Sequence, residues 1–125
     1  MSILENLTPI YTTRGDVGAY LSYPYLYNAQ GEWIGWISEE RSVYSIRGHY
    51  VGWLSPERRI IGKRARDYVE PRRDVPLPPP PIHIPALTPL APQMPELTLS
   101  TVDILEEAPE LLPTADFGEL HEDMD

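Results

Sequence analysis

The chain has 125 residues, no cysteine, 15 prolines and a net charge of −9. A disulfide framework and thiolate chemistry are excluded, and no segment approaches the roughly 20 apolar residues of a membrane span. The acidity sits in one place: residues 75–125 carry ten acids and no base, whereas residues 1–74 carry ten bases and nine acids, so the charge describes the C-terminal part alone.

The first residues, Met1 to Leu7, have no basic start and no long apolar run, so no secretory signal is expected and the cytoplasm is the default compartment. A repeat follows. Tyr27-Asn28-Ala29-Gln30-Gly31-Glu32-Trp33-Ile34-Gly35-Trp36-Ile37 returns seventeen residues later as Tyr44-Ser45-Ile46-Arg47-Gly48-His49-Tyr50-Val51-Gly52-Trp53-Leu54. A weaker copy, Tyr11 to Leu21, precedes both, with Gly15 and Gly18 at the two glycine positions, and a truncated fourth begins at Ile60-Ile61-Gly62.

In each unit a β-prone run ends in Tyr, three small or polar residues follow, and a Gly opens a second β-prone run. That loop length pairs a type I turn with a left-handed residue and a bulge, the position assigned to Gly15, Gly31 and Gly48. The following strand alternates, with Trp33, Gly35 and Ile37 opposed to Ile34 and Trp36, and Tyr50, Gly52 and Leu54 opposed to Val51 and Trp53. Gly35 and Gly52 inside strands imply close approach, expected from an aromatic ring of a neighbouring hairpin, and the repeated Tyr and Trp are read as core.

A period of 16 to 17 residues fits one hairpin and is too short for a propeller blade of about 40. Isolated hairpins are unstable in water, so several must share a core. The expected fold is all-β: a small hairpin-repeat rosette or barrel over residues 1–70, with units near 10–21, 26–37 and 43–54 and a partial one at 59–66. Its open edge would be closed by the leading segment or by a second protomer, which makes a homo-oligomer possible. The pattern Tyr-x-x-x-Gly-x-x-hydrophobic-Gly-Trp-hydrophobic resembles the bacterial four-fold β flower domain over about Pro9 to Arg66. The resemblance implies short hairpins about a pseudo-four-fold axis and no agreed activity.

Catalytic raw material is sparse. His49, His83 and His121 have no metal-ligand spacing, the adjacent carboxylates Glu39-Glu40, Glu106-Glu107 and Glu122-Asp123 read as hydrated, and no phosphate loop or nucleophile elbow is present. Neither an enzyme nor a cofactor or metal is expected. Arg58, Arg59, Lys63, Arg64, Arg66, Arg72 and Arg73 form the best candidate polyanion site, with Trp53 and Tyr68 for base stacking. Interleaved acids and the acidic tail disfavour nucleic acid, and a solvated strand edge accounts for the same bases.

Residues 71–95 are dense in proline, which removes donors and favours polyproline II, so they read as an extended linker, with Pro78 to Pro81 also able to dock in an aromatic groove. Residues 96–125 read as a disordered acidic tail with a short helix at 101–108. Val102, Leu105, Leu111, Leu112 and Phe117 are its candidate anchors for a protein partner. The function expected is a non-enzymatic interaction or scaffold module, self-associating, that displays a proline stalk and an acidic docking peptide. The alternative is weak polyanion binding through residues 58–73, inhibited by the tail.

Overall fold

Three glycines reverse the chain. In the computed structural model, which describes residues 7–65, 72–80 and 82–115, Gly15, Gly31 and Gly48 have φ of 96°, 87° and 85°, a region that side chains with a β-carbon rarely adopt. The Gly15 N–H donates to Thr12 O at 2.9 Å, and the Thr12 N–H to Asp16 O at 2.8 Å. Asn28 to Glu32 and Ser45 to His49 repeat that pair of bonds. Each turn is followed by a register shift, at Ile10/Tyr11, Leu26/Tyr27 and Val43/Tyr44, where Gly18, Ile34 and Val51 are the extra residues, three positions beyond the turn glycines.

These turns join β1 (Thr8–Tyr11) to β2 (Val17–Ser22), β3 (Tyr25–Asn28) to β4 (Trp33–Ile37), and β5 (Ser42–Ser45) to β6 (Tyr50–Leu54). β7 (Ile60–Lys63) and β8 (Thr101–Asp103) follow, and the eight antiparallel strands lie in sequential order in one sheet curled into a half-barrel. The turns between hairpins use a second device. Arg41 and Arg58, both at φ 69°, close Ser38–Ser42 and Ser55–Arg59 with the same bond pattern as the glycine turns. The β2–β3 turn, with a cis Tyr23–Pro24 peptide, is one residue shorter.

Register corrects the reading of the first unit. Ile10 faces Ala19 as Leu26 faces Gly35 and Val43 faces Gly52, so Ala19 is the counterpart of the strand glycines and the missing residue lies in the Tyr23–Pro24 turn. Gly18 has another duty: a β-carbon there would sit 3.0 Å from Leu105 Cδ1. Gly35 and Gly52 do mark close approach, but of backbone. A β-carbon at either would collide with a carbonyl, of Tyr44 or Ile61, because the curl brings the next strand in too tightly for a side chain.

The core is aliphatic. Ile10, Leu26, Ile34, Ile37, Val43, Val51, Leu54 and Ile60 fill it, and Val102, Ile104 and Leu112 come from the far end of the chain. Burying each such side chain is worth about 1.5–3 kcal/mol. Tyr11, Tyr20, Tyr27 and Tyr44 are buried around it, while Trp33, Trp36 and Trp53 are only half-buried, so the indoles expected inside lie at its border.

The fourth hairpin is completed by the C-terminal segment. β8 pairs with β7 through Ile61↔Asp103, Gly62↔Val102 and Lys63↔Thr101. The helix expected over 101–108 is therefore a strand and then a single turn, α1 (Ile104–Glu107), followed by a 3-10 turn at Pro109–Leu111. β7 would otherwise present an open edge, and β-branched Thr101 and Val102 suit pairing better than helix.

Residues 72–80 and 82–100 take no regular secondary structure, yet they do not lead outward as a stalk. The Arg73 N–H donates to Gly48 O at 3.0 Å, the Ile82 N–H to Gly31 O at 3.4 Å, and the Tyr11 hydroxyl to Pro89 O at 2.8 Å. The segment thus passes the tips of hairpins three, two and one and then reaches hairpin four, where the Arg64 N–H donates to Ser100 O at 2.8 Å. It is a belt. Proline cannot donate to a sheet ladder, but two of the belt's N–H groups, of Arg73 and Ile82, find glycine carbonyls, and the nine steps between them span at most about 28 Å as polyproline II.

Candidate functional site

The belt and the fourth hairpin meet the first at a buried polar cluster. Asp103 is 2% exposed and Arg59 is 1% exposed. Asp103 Oδ2 accepts from the Thr13 N–H and the Thr13 hydroxyl, both at 2.7 Å, and Oδ1 accepts from the Leu105 N–H at 3.1 Å, capping α1. Arg59 Nη1 donates to Thr13 Oγ1 at 3.0 Å, Nε and Nη2 donate to Glu57 Oε2 at 2.9 and 2.7 Å, and Nη2 also donates to Pro95 O at 3.0 Å. Burial pushes the Glu57 carboxyl up, but hydrogen bonds from Arg59, Ser55 and its own N–H, with the Arg59 charge, outweigh this and hold it below the usual range.

The cluster fastens turn 12–16, turn 55–59, the belt and β8 together. A buried ion pair of this kind adds little against a well-packed apolar substitute, but losing one partner strands a desolvated charge at about 3–5 kcal/mol. Its chemistry is that of a latch: every one of these carboxylate oxygens that accepts does so from a donor of the fold itself. Among the described residues no group of three His, Cys, Asp or Glu could hold a metal ion, and no helix is long and apolar enough to cross a membrane.

The six described members of the predicted polyanion-binding set meet different parts of the fold. Arg59 is enclosed, Arg58 lies 5.8 Å from the Tyr11 ring centroid, Arg72 Nε donates to Arg47 O at 2.7 Å, and Arg73 lies 5.0 Å from the Tyr44 ring. Arg64 Nε donates to Leu99 O at 3.0 Å and its Nη1 lies 3.6 Å from Glu107. Lys63 and Arg64 do share a groove of about 550 Å³ with Trp53 and Leu99; Arg66 lies outside the described residues. Most of these bases fasten the belt rather than face a ligand.

Of the predicted partner anchors, Val102 and Leu112 are core residues, Leu105 and Leu111 pack half-buried against that core, and Phe117 lies outside the described residues. The partner of this segment is thus, first, the chain's own sheet. A second groove, of about 520 Å³, is lined by Tyr23, Pro24, Trp36, Glu39, Glu40 and the belt at Arg73 to Pro76. Neither Asp103, Thr13 and Glu57 nor this groove was read from the sequence. One signal was present: Ser38-Glu39-Glu40-Arg41 recurs seventeen residues on as Ser55-Pro56-Glu57-Arg58, marking the second set of turns.

Four hairpins in a curled sheet, the last completed from across the chain, define an all-β module with pseudo-four-fold order. The chain matches the family described as 4-fold beta flower protein over residues 8–102, and it belongs to that family. The match runs beyond the hairpins expected from the repeat, through the belt and into β8, which is the extent a completed fourth hairpin needs. No curated protein and no solved structure matches the chain.

Proposed function

We propose that this β flower is a non-enzymatic interaction module that self-associates through the outer face of its belt and offers its acidic C-terminal end to a protein partner. One observation carries the first half: Leu77, Leu87, Leu90 and Leu99 are 85%, 89%, 96% and 93% exposed along the belt, while the belt's Val75, Ile82 and Ile84 turn toward the hairpins and are half-buried. Single exposed leucines are ordinary, but a strip of them on a segment already held in place is an interaction surface. Support for the second half is the latch, which fixes the chain at Asp103, thirteen residues before the first acid of the terminal stretch at Asp116.

Sedimentation equilibrium tests the self-association. The full chain is expected to form a dimer or larger assembly, and the variant with Leu77, Leu87, Leu90 and Leu99 all changed to Ser is expected to be a monomer with an unchanged melting temperature. A wild-type monomer at the highest soluble concentration, or an assembled quadruple variant, rejects it. For the tail, crosslinked capture from the native cell is compared between wild type and a full-length chain carrying Glu119→Gln, Glu122→Gln and Asp123→Asn; identical capture rejects that half.

A further inference from the structure

Trp36 and Trp53, equivalent residues of successive units, each line a groove, but the two grooves are otherwise built from different parts of the fold. Their charges differ. The Trp53 groove holds Lys63 and Arg64, whereas the Trp36 groove is rimmed by Glu39, Glu40 and Asp74, all exposed, against a single base, Arg73. None of these three carboxylates is paired with a basic side chain among the described residues.

We propose that the Trp36 groove binds an extended, basic segment of a protein partner, seating a lysine or arginine beside the indole and under the three carboxylates. The chain already uses this face in that way. Trp36 stacks on Tyr44 with centroids 4.5 Å apart and planes at 18°, and the Arg73 guanidinium, from an extended stretch of the belt, lies 5.0 Å from the Tyr44 ring. A cation over an aromatic face is attracted by the ring quadrupole, and carboxylates nearby add a salt-dependent pull.

Beyond Arg73 the groove is open. Tyr23 is 59% exposed and stands beside Pro24, so a second ring and a flat imide edge continue the floor past the belt. Trp36 adds an independent sign. Trp33 Nε1 donates to Gly35 O at 2.8 Å, but Trp36 Nε1 is buried and has no acceptor. An unsatisfied buried donor in a native fold calls for an explanation, and a small shift of the indole on binding would let it meet an acceptor. None of the four belt leucines lines the groove, so the leucine-to-serine variant keeps its lining intact and separates peptide binding from self-association.

Fluorescence anisotropy of a labelled arginine–proline peptide against the full-length chain tests this, with glutamate–proline and glutamine–proline peptides of equal length as comparators. Only the basic peptide is expected to bind, less tightly as salt rises. Because exposed ion pairs are individually weak, changing Glu39 and Glu40 to Gln and Asp74 to Asn together should lower affinity about tenfold. Tyr23→Ala should weaken binding several-fold while leaving the melting temperature unchanged. Equal binding of the neutral peptide overturns the proposal. So does binding that survives the triple groove variant and vanishes when Glu119, Glu122 and Asp123 are neutralised, since the tail would then be the site; no binding of the basic peptide overturns it outright.

Discussion

Asp103 Oδ2 accepts two hydrogen bonds from Thr13, at 2.7 Å from the backbone N–H and 2.7 Å from the hydroxyl, across 90 residues of sequence. The contact ties the first turn to the last strand. Asp103→Ala leaves three donors without an acceptor: the Thr13 N–H, the Thr13 hydroxyl that itself accepts from Arg59, and the Leu105 N–H. A loss of about 3–5 kcal/mol is expected in urea unfolding. Thr13→Val removes only the hydroxyl and should cost about 1–2 kcal/mol. A loss below 1 kcal/mol for Asp103→Ala would mean that packing of Val102 and Ile104 alone holds β8.

Gly15 and Gly48 turn the chain at φ of 96° and 85°, and the belt passes both, but only at Gly48 does it leave no room for a β-carbon. A β-carbon at Gly15 would come no nearer than 3.8 Å to Ala91 Cβ, whereas one at Gly48 would collide with Arg73 O. Gly15→Ala should therefore cost only the left-handed penalty, about 1–2 kcal/mol. Gly48→Ala should cost more, and should raise hydrogen exchange at the Arg73 amide, which donates to Gly48 O at 3.0 Å. Equal losses at the two positions would show that the belt contributes nothing at that tip.

Belt and stalk differ in hydrodynamics. A folded chain of this length has a radius of gyration of about 14 Å, while fifty free residues alone would approach about 21 Å. Small-angle scattering of the monomeric leucine-to-serine variant is expected to give a value nearer the first. A value above about 20 Å would return residues 72–100 to solvent.

The hairpins are legible in the sequence because the φ-positive positions Gly15, Gly31 and Gly48 accept almost no other residue, so turn chemistry and repeat coincide. The other turns are less legible. Arg41 and Arg58 take the same left-handed conformation without glycine; Arg41 is held there by its own Nε and Nη2 bonds to Leu54 O at 3.2 Å and Ser55 O at 3.0 Å, a tertiary effect that local preference does not report. The belt was hidden for a related reason. Proline density predicts an extended backbone truly, but an extended chain is free or wrapped according to partners 25 or more residues away, such as Gly31 for Ile82. Asp103 caps α1 locally, and nothing local says that its other oxygen reaches Thr13.

Glu57 gives the latch a pH dependence of fixed sign. Its carboxyl titrates below the usual value of 4.5 in the folded chain, since Arg59 and Ser55 hydrogen bonds and the Arg59 charge outweigh the opposing effect of burial. The folded state then binds fewer protons at Glu57 than the unfolded state does around pH 4. The stabilisation is complete above the unfolded value and is lost as pH falls through the folded one. Stability measured by urea at pH 7, 5, 4 and 3 should fall more steeply for wild type than for Glu57→Gln, which cannot titrate at this position. Glu57→Gln should be less stable at pH 7, because Arg59 is then buried beside a neutral amide, and the gap should narrow toward pH 3. Parallel curves would mean that Arg59 is held by Thr13 and the Pro95 carbonyl, with no contribution from the carboxylate charge.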